Sequence, residues 1–98
     1  MFLEEKYEKI KKKMYQKKIL GQLTDQDVQE IGNLINIIAM KYSQDGQNNV
    51  AEEWLRRALK YGEISERVRI VTFNNMACVY KQANDLPLAL LYINKAQR

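Results

Sequence analysis

The feature that most constrains this chain is an internal repeat. Ile38-Ala39-x-x-Tyr42 is matched by Met76-Ala77-x-x-Tyr80, and Ala51-x-x-x-Leu55-x-x-Ala58 by Ala89-x-x-x-Ile93-x-x-Ala96. Each matched pair lies 38 residues apart. Small residues recur where two helices must approach closely, and an aromatic recurs three positions after the alanine of the first string. The physical reading is two stacked helix hairpins, with each interlock of small and large side chains repeated once.

The rest of the chain agrees with helix throughout. Only one proline and four glycines interrupt 98 residues, and no segment alternates with period two over the length of a strand. Leu3, Tyr7, Ile10 and Met14 form an apolar stripe on a helix over 2–20, with glutamates first and lysines last, as the helix dipole favours. Gly21 stops it. Thr24 begins the second helix with its hydroxyl placed to accept from the Asp27 amide, and Asp25 and Asp27 suit the positive end of the dipole. Val28, Ile31, Ile35, Ile38 and Tyr42 then give one continuous apolar face, and Gly32 marks close packing or a bend. A third helix is expected over 48–61 with Val50, Ala51, Trp54, Leu55 and Ala58 inward and Gly62 as its stop. Ser65 caps a fourth over 66–83, carrying Ile70, Phe73, Met76, Ala77 and Tyr80. Pro87 sits in the first turn of a fifth, whose buried face is Leu88, Ala89, Tyr92, Ile93 and Ala96. The expectation is an all-α chain of about five helices. Residues 1–21 are read as a basic amphipathic helix acting as cap or half-hairpin, and 22–98 as two hairpins over about 24–61 and 66–98.

These residues resemble the tetratricopeptide repeat (TPR). Asn75-Met76-Ala77-x-x-Tyr80, then Asn84-Asp85, then Ala89-Leu90-x-Tyr92-x-x-x-Ala96 carry the likeness in the second copy. Ile38-Ala39-x-x-Tyr42, Gly46 and Ala51-Glu52-x-Trp54-Leu55-x-Arg57-Ala58-Leu59 carry it in the first, and the last string is similar to the kinesin-light-chain-like branch. Repeats of that branch run longer than the usual ~34 residues, compatible with the period here. The proline usual near the repeat's end is replaced by Glu63. The resemblance covers about 32–98. It implies a short right-handed superhelix of antiparallel hairpins and a scaffold or adaptor role in protein–protein interaction. A cytoskeletal or ciliary setting follows only by family analogy.

By the same resemblance, Asn33, Asn36, Met40 and Ser43 line an inner, peptide-binding surface in the first copy. Asn74, Cys78 and Lys81 do so in the second. Amide side chains there would hydrogen-bond an extended peptide's backbone without demanding a sequence. The bland alternative is solvent-facing residues of an Asn-rich chain. Asn75 also matches one element of the clamp with which one subfamily grips chaperone tails. Asn36 and Met40 stand where that clamp needs Lys and Asn, so this chain is not expected to be a receptor of that type.

Charge is placed unevenly. Residues 1–20 hold seven lysines against three glutamates, an excess equal to the whole net charge of +4. Lys11, Lys12, Lys13, Lys17 and Lys18 admit three readings: a binder of an acidic partner (nucleic acid, a tubulin tail or an anionic membrane), a short basic localisation motif, or the wet face of an amphipathic helix. No recognition-helix fold or aromatic stacking array supports sequence-specific nucleic-acid binding.

The chain has no histidine and one cysteine, which removes the commonest general base, the commonest zinc ligand and any internal disulfide. Cys78 reads as a buried small hydrophobe in a reducing, cytoplasmic compartment, and Trp54 as packing. No phosphate loop, triad or metal site assembles from the sequence, so the expectation is no enzyme and no cofactor. No solvating helix is expected after the fifth, which leaves Leu88, Leu91 and their neighbours at an unfilled end. That end is expected to meet another protein chain, a second copy, or further repeats of a longer parent.

Overall fold

The computed structural model describes residues 2–97. Arg98, with which the second expected hairpin closes, and Met1 lie outside the described residues. Five helices follow one another: α1 (Phe2–Ile19), α2 (Asp25–Gln44), α3 (Asn48–Gly62), α4 (Glu66–Gln82) and α5 (Leu86–Ala96). Among the described residues there is no strand. The fold is all-α.

Local chemistry fixes the helix ends. Thr24 Oγ1 accepts from the Asp27 backbone N–H at 3.2 Å, while Asp27 Oδ2 accepts from the Thr24 N–H at 3.0 Å. This reciprocal pair satisfies two donors that the first turn of α2 would otherwise leave open. Ser65 caps α4 through Val68 N–H, and Asp85 caps α5 through Leu88 N–H beside Pro87.

The 38-residue spacing reappears in backbone geometry. Gly46 closes the α2–α3 turn at φ 79°, and its counterpart Asn84 closes the α4–α5 turn at φ 64°. Gln47 N–H reaches Tyr42 C=O at 2.9 Å, as Asp85 N–H reaches Tyr80 C=O at 2.8 Å. Only glycine, or asparagine with its short polar side chain, enters this left-handed region cheaply. The two turns are built alike.

Three-residue connections make consecutive helices from α2 to α5 antiparallel neighbours. The contacts sort all five into two rows. Helix α2 meets α1, α3 and α4, and α4 meets α2, α3 and α5, whereas α1, α3 and α5 do not meet along their backbones. The result is a slab of 44 × 32 × 13 Å. Its core runs between the rows and is centred on Ile31, Ile35, Ile38, Ala39, Ala51, Leu55, Ala58 and Met76. Helix α1 adds Tyr7 and Met14, and Tyr7 meets Trp54 edge-on at 5.1 Å between ring centres.

Two glycines answer to close packing. A Cβ on Gly32 would stand 2.7 Å from both γ-methyls of Val68, so this residue lets α4 lie against α2. Gly62 belongs to the last turn of α3 and does not stop it. A Cβ there would meet the Arg69 Cα at 3.0 Å.

Candidate functional site

The seam between α2 and α4 is polar. Asn36 Nδ2 donates to Gly32 C=O at 2.9 Å and to Thr72 Oγ1 at 3.0 Å, and Asn36 Oδ1 accepts from Asn75 Nδ2 at 2.9 Å. Thr72 Oγ1 in turn donates to Val68 C=O at 2.7 Å. Further along, the Ser43 hydroxyl donates to the Gln82 side chain. Asn36 and Ser43 are buried, at 3% and 2% exposure. These two residues, expected on an open inner surface, instead tie one hairpin to the next. Helix α4 covers the side of α2 on which they stand, and their hydrogen-bonding capacity is used there.

Beside that seam a shallow groove of about 580 Å³ is open to solvent, lined by Asn33, Asn36, Ile37, Met40, Lys41 and Gln44 of α2 and by Val71 and Asn75 of α4. Asn33, Asn36, Met40 and Asn75 therefore share this groove. Its floor includes Ile37 and Val71, both exposed.

Asn74, Cys78 and Lys81 stand elsewhere. They are the 38-residue counterparts of Asn36, Met40 and Ser43, and all three are exposed. Cys78 is thus not the buried hydrophobe its neighbours suggested. On α5 Leu86, Leu90 and Ile93 are exposed too, at 55%, 61% and 38%, and Ile93 is the 38-residue counterpart of Leu55. Their spacing of four and three puts them on one line of the helix. Leu88, expected at the unfilled end, packs toward the core, and Leu91, though exposed, lies on a different line. Ile93, expected to be buried, is partly open. The apolar face of α5 is wider than its core contact, and periodicity alone does not say which edge finds a neighbour.

The lysines divide. Lys17 Nζ is bonded to Asp27 Oδ1 at 2.8 Å. That cation, first, and the Thr24 hydrogen bonds, second, hold the Asp27 carboxyl down from 3.8 to about 2. Lys11, Lys12 and Lys18 line a trough of about 570 Å³ with Glu8, Met14, Tyr15, Gln16, Leu23, Val28, Tyr61 and Ile64. Lys13 is exposed and not part of it. At the other end of α1, the Tyr42 hydroxyl donates to the Glu4 carboxylate, which raises the phenol's pKa. Burial, first of all, does the same to Tyr61 and Tyr80.

Trp54 is packed, as expected, between Tyr7 and the Arg57 guanidinium, which lies 4.3 Å from its ring centre. Among the described residues no three His, Cys, Asp or Glu side chains converge on a point that could hold a metal ion. Nor among them is any helix long and apolar enough to cross a membrane. No protein-family model, no curated protein and no solved structure matches this chain.

Proposed function

We propose that this chain is a non-catalytic protein–protein interaction module, a TPR-like helix-hairpin scaffold or adaptor that works within a larger assembly. One observation carries the reading. The α2–α3 hairpin buries Asn36, Ser43 and Leu55, the first two against α4, while the α4–α5 hairpin presents their counterparts Asn74, Lys81 and Ile93 to solvent. A surface built like a helix-binding face, with Leu86 and Leu90 added to it, is suited to another helix. Apolar patches of this kind on soluble chains mark association sites. The groove over Asn33, Met40 and Asn75 offers a second, more polar place for a peptide. The exposed thiol of Cys78 suits a reducing compartment such as the cytoplasm.

A photo-crosslinking residue at Leu90 or Ile93 tests this in the cells that make the protein. The expected result is a defined protein adduct, absent when the crosslinker replaces exposed Lys13, and lost on competition with a Leu90→Glu-sensitive partner fragment. If Leu90→Glu with Ile93→Glu leaves every native association intact while the chain stays folded by circular dichroism, the end-face reading fails.

A further inference from the structure

The second trough carries a separate inference. Helices α1 and α3 lie in the same row yet do not meet along their backbones, so a furrow runs between them over α2. Tyr7 and Trp54 bridge its middle. Toward the α3–α4 turn the furrow widens into the trough of about 570 Å³. Its walls are apolar and unusually open: Tyr15 is 67% exposed and Ile64 62% exposed, with half-buried Leu23 and Tyr61 beneath them. Lys11, Lys12 and Lys18 stand on the α1 bank. None of the three has a carboxylate partner among the described residues, unlike Lys17. At the opposite end of the furrow, Glu4 and Glu5 line a recess with Trp54 and Arg57, and Glu8 borders both that recess and the trough, so the α1 bank changes sign along its length.

We infer that the α1–α3 furrow is a docking site for an acidic amphipathic helix of another protein, its apolar face on Tyr15, Tyr61 and Ile64 and its carboxylates against Lys11, Lys12 and Lys18. An amphipathic helix reads such a groove through anchors at i, i+3 or i+4, and i+7. Charge complementarity sets its direction: the acidic end lies over Lys18 and the less acidic end over Glu4 and Glu5. The apolar walls argue for a protein occupant over a nucleic acid, whose affinity comes chiefly from phosphates, which the Glu4–Glu8 end repels. A bilayer is disfavoured as well, because Glu4, Glu5 and Glu8 on the same bank repel the anionic lipid surface that the lysines would need. This site is distinct from the α4–α5 end face, and neither needs the other.

The test uses the full chain and a fluorescein-labelled synthetic helix with leucines at i, i+3, i+4 and i+7 flanked by glutamates, read by anisotropy. A peptide with the same leucines flanked by lysines, an oligonucleotide of equal charge and phosphatidylserine vesicles are the comparison ligands. The glutamate peptide is expected to bind best. Lys11→Gln/Lys12→Gln/Lys18→Gln should weaken it about tenfold, the sum of several exposed charge contacts, and Ile64→Glu should weaken it at least as much. Lys13→Gln and Leu90→Glu/Ile93→Glu should leave it unchanged. All these positions are exposed, so the variants retain the fold, which circular dichroism checks. The proposal is overturned if Ile64→Glu has no effect, or if the oligonucleotide or the vesicles bind more tightly than the glutamate peptide and lose that binding in the triple lysine variant.

Discussion

The two hairpins are built on one pattern and differ in what packs against them among the described residues. Leu55 and Ile93 occupy the same position, yet Leu55 is fully buried and Ile93 is 38% exposed. Asn36 is enclosed in a hydrogen-bonded seam, and Asn74 faces water. The turns, the alanines Ala39/Ala77, Ala51/Ala89 and Ala58/Ala96, and the aromatic pair Tyr42/Tyr80 play equivalent parts in both. Within a hairpin, then, like sequence gives like packing. Between hairpins the outcome depends on whether a next helix is there to cover the face. Within the second hairpin Tyr92 stacks on Tyr80 at 5.4 Å and leans on Phe73 at 5.7 Å between ring centres.

This asymmetry can be broken by substitution. Leu55→Ala opens a cavity in the core and is expected to lower unfolding free energy by ~2–5 kcal/mol, a large share of what so small a chain possesses. Ile93→Ala, at the equivalent place, should cost about 1 kcal/mol because much of its side chain is already in water. Urea denaturation of the pair measures the difference. Equal losses would mean that the end face is covered in solution, as by self-association.

Asn36→Ala comes next. It removes the buried bonds to Thr72 Oγ1 and Gly32 C=O and the part-buried one from Asn75 Nδ2, and is expected to cost ~1–3 kcal/mol. Asn74→Ala should stay within ~0.5 kcal/mol of the parent. A smaller change is expected at Gly32. Gly32→Ala gains helix propensity but drives its methyl into Val68, which is stiff and fully buried, so net stability should fall by ~1 kcal/mol. Adding Val68→Ala should relieve that clash, so in a double-mutant cycle the two losses sum to more than the double variant shows.

The smallest effect separates α1 from the hairpins. The Asp27 carboxyl titrates at about 2 in the folded chain against 3.8 ordinarily. A depressed acid stabilises fully above its unfolded value, so this contribution is present at neutral pH and is lost as the pH falls through 3.8 toward 2. Lys17→Gln should raise the Asp27 pKa but keep it below 3.8, because the Thr24 hydrogen bonds remain. Carboxyl NMR titration reads both values.

Much of the fold was legible in the sequence because it depends on local chemistry. Thr24 with Asp27, Ser65, and Pro87 in the first turn of α5 announce helix starts wherever they stand. The stripes Leu3–Tyr7–Ile10–Met14 and Val28–Ile31–Ile35–Ile38 face inward because a helix has one period. The candidate site was less legible. Asn33, Asn36, Met40 and Asn75 do line a groove, but Ser43 sits only about 60° around α2 from Met40, where α4 lies instead of solvent. Helix α4 is flanked on two sides, so Val68, Thr72 and Val79 are buried outside its expected stripe. The trough of Tyr15, Tyr61 and Ile64 joins residues from α1, the end of α3 and the α3–α4 turn, and no spacing within one helix signals it.

The sequence by itself determined that this chain is helical, that it carries one hairpin pattern twice, and that its net charge belongs to the leading helix. Those follow from propensity, period and caps, which act over a few residues. Only the tertiary structure decided which amides are seams and which are surfaces, which lysines pair and which line a furrow, and which apolar edge of α5 is left open. The physical reason is that burial and pairing are properties of neighbours, and neighbours more than a turn away are set by packing.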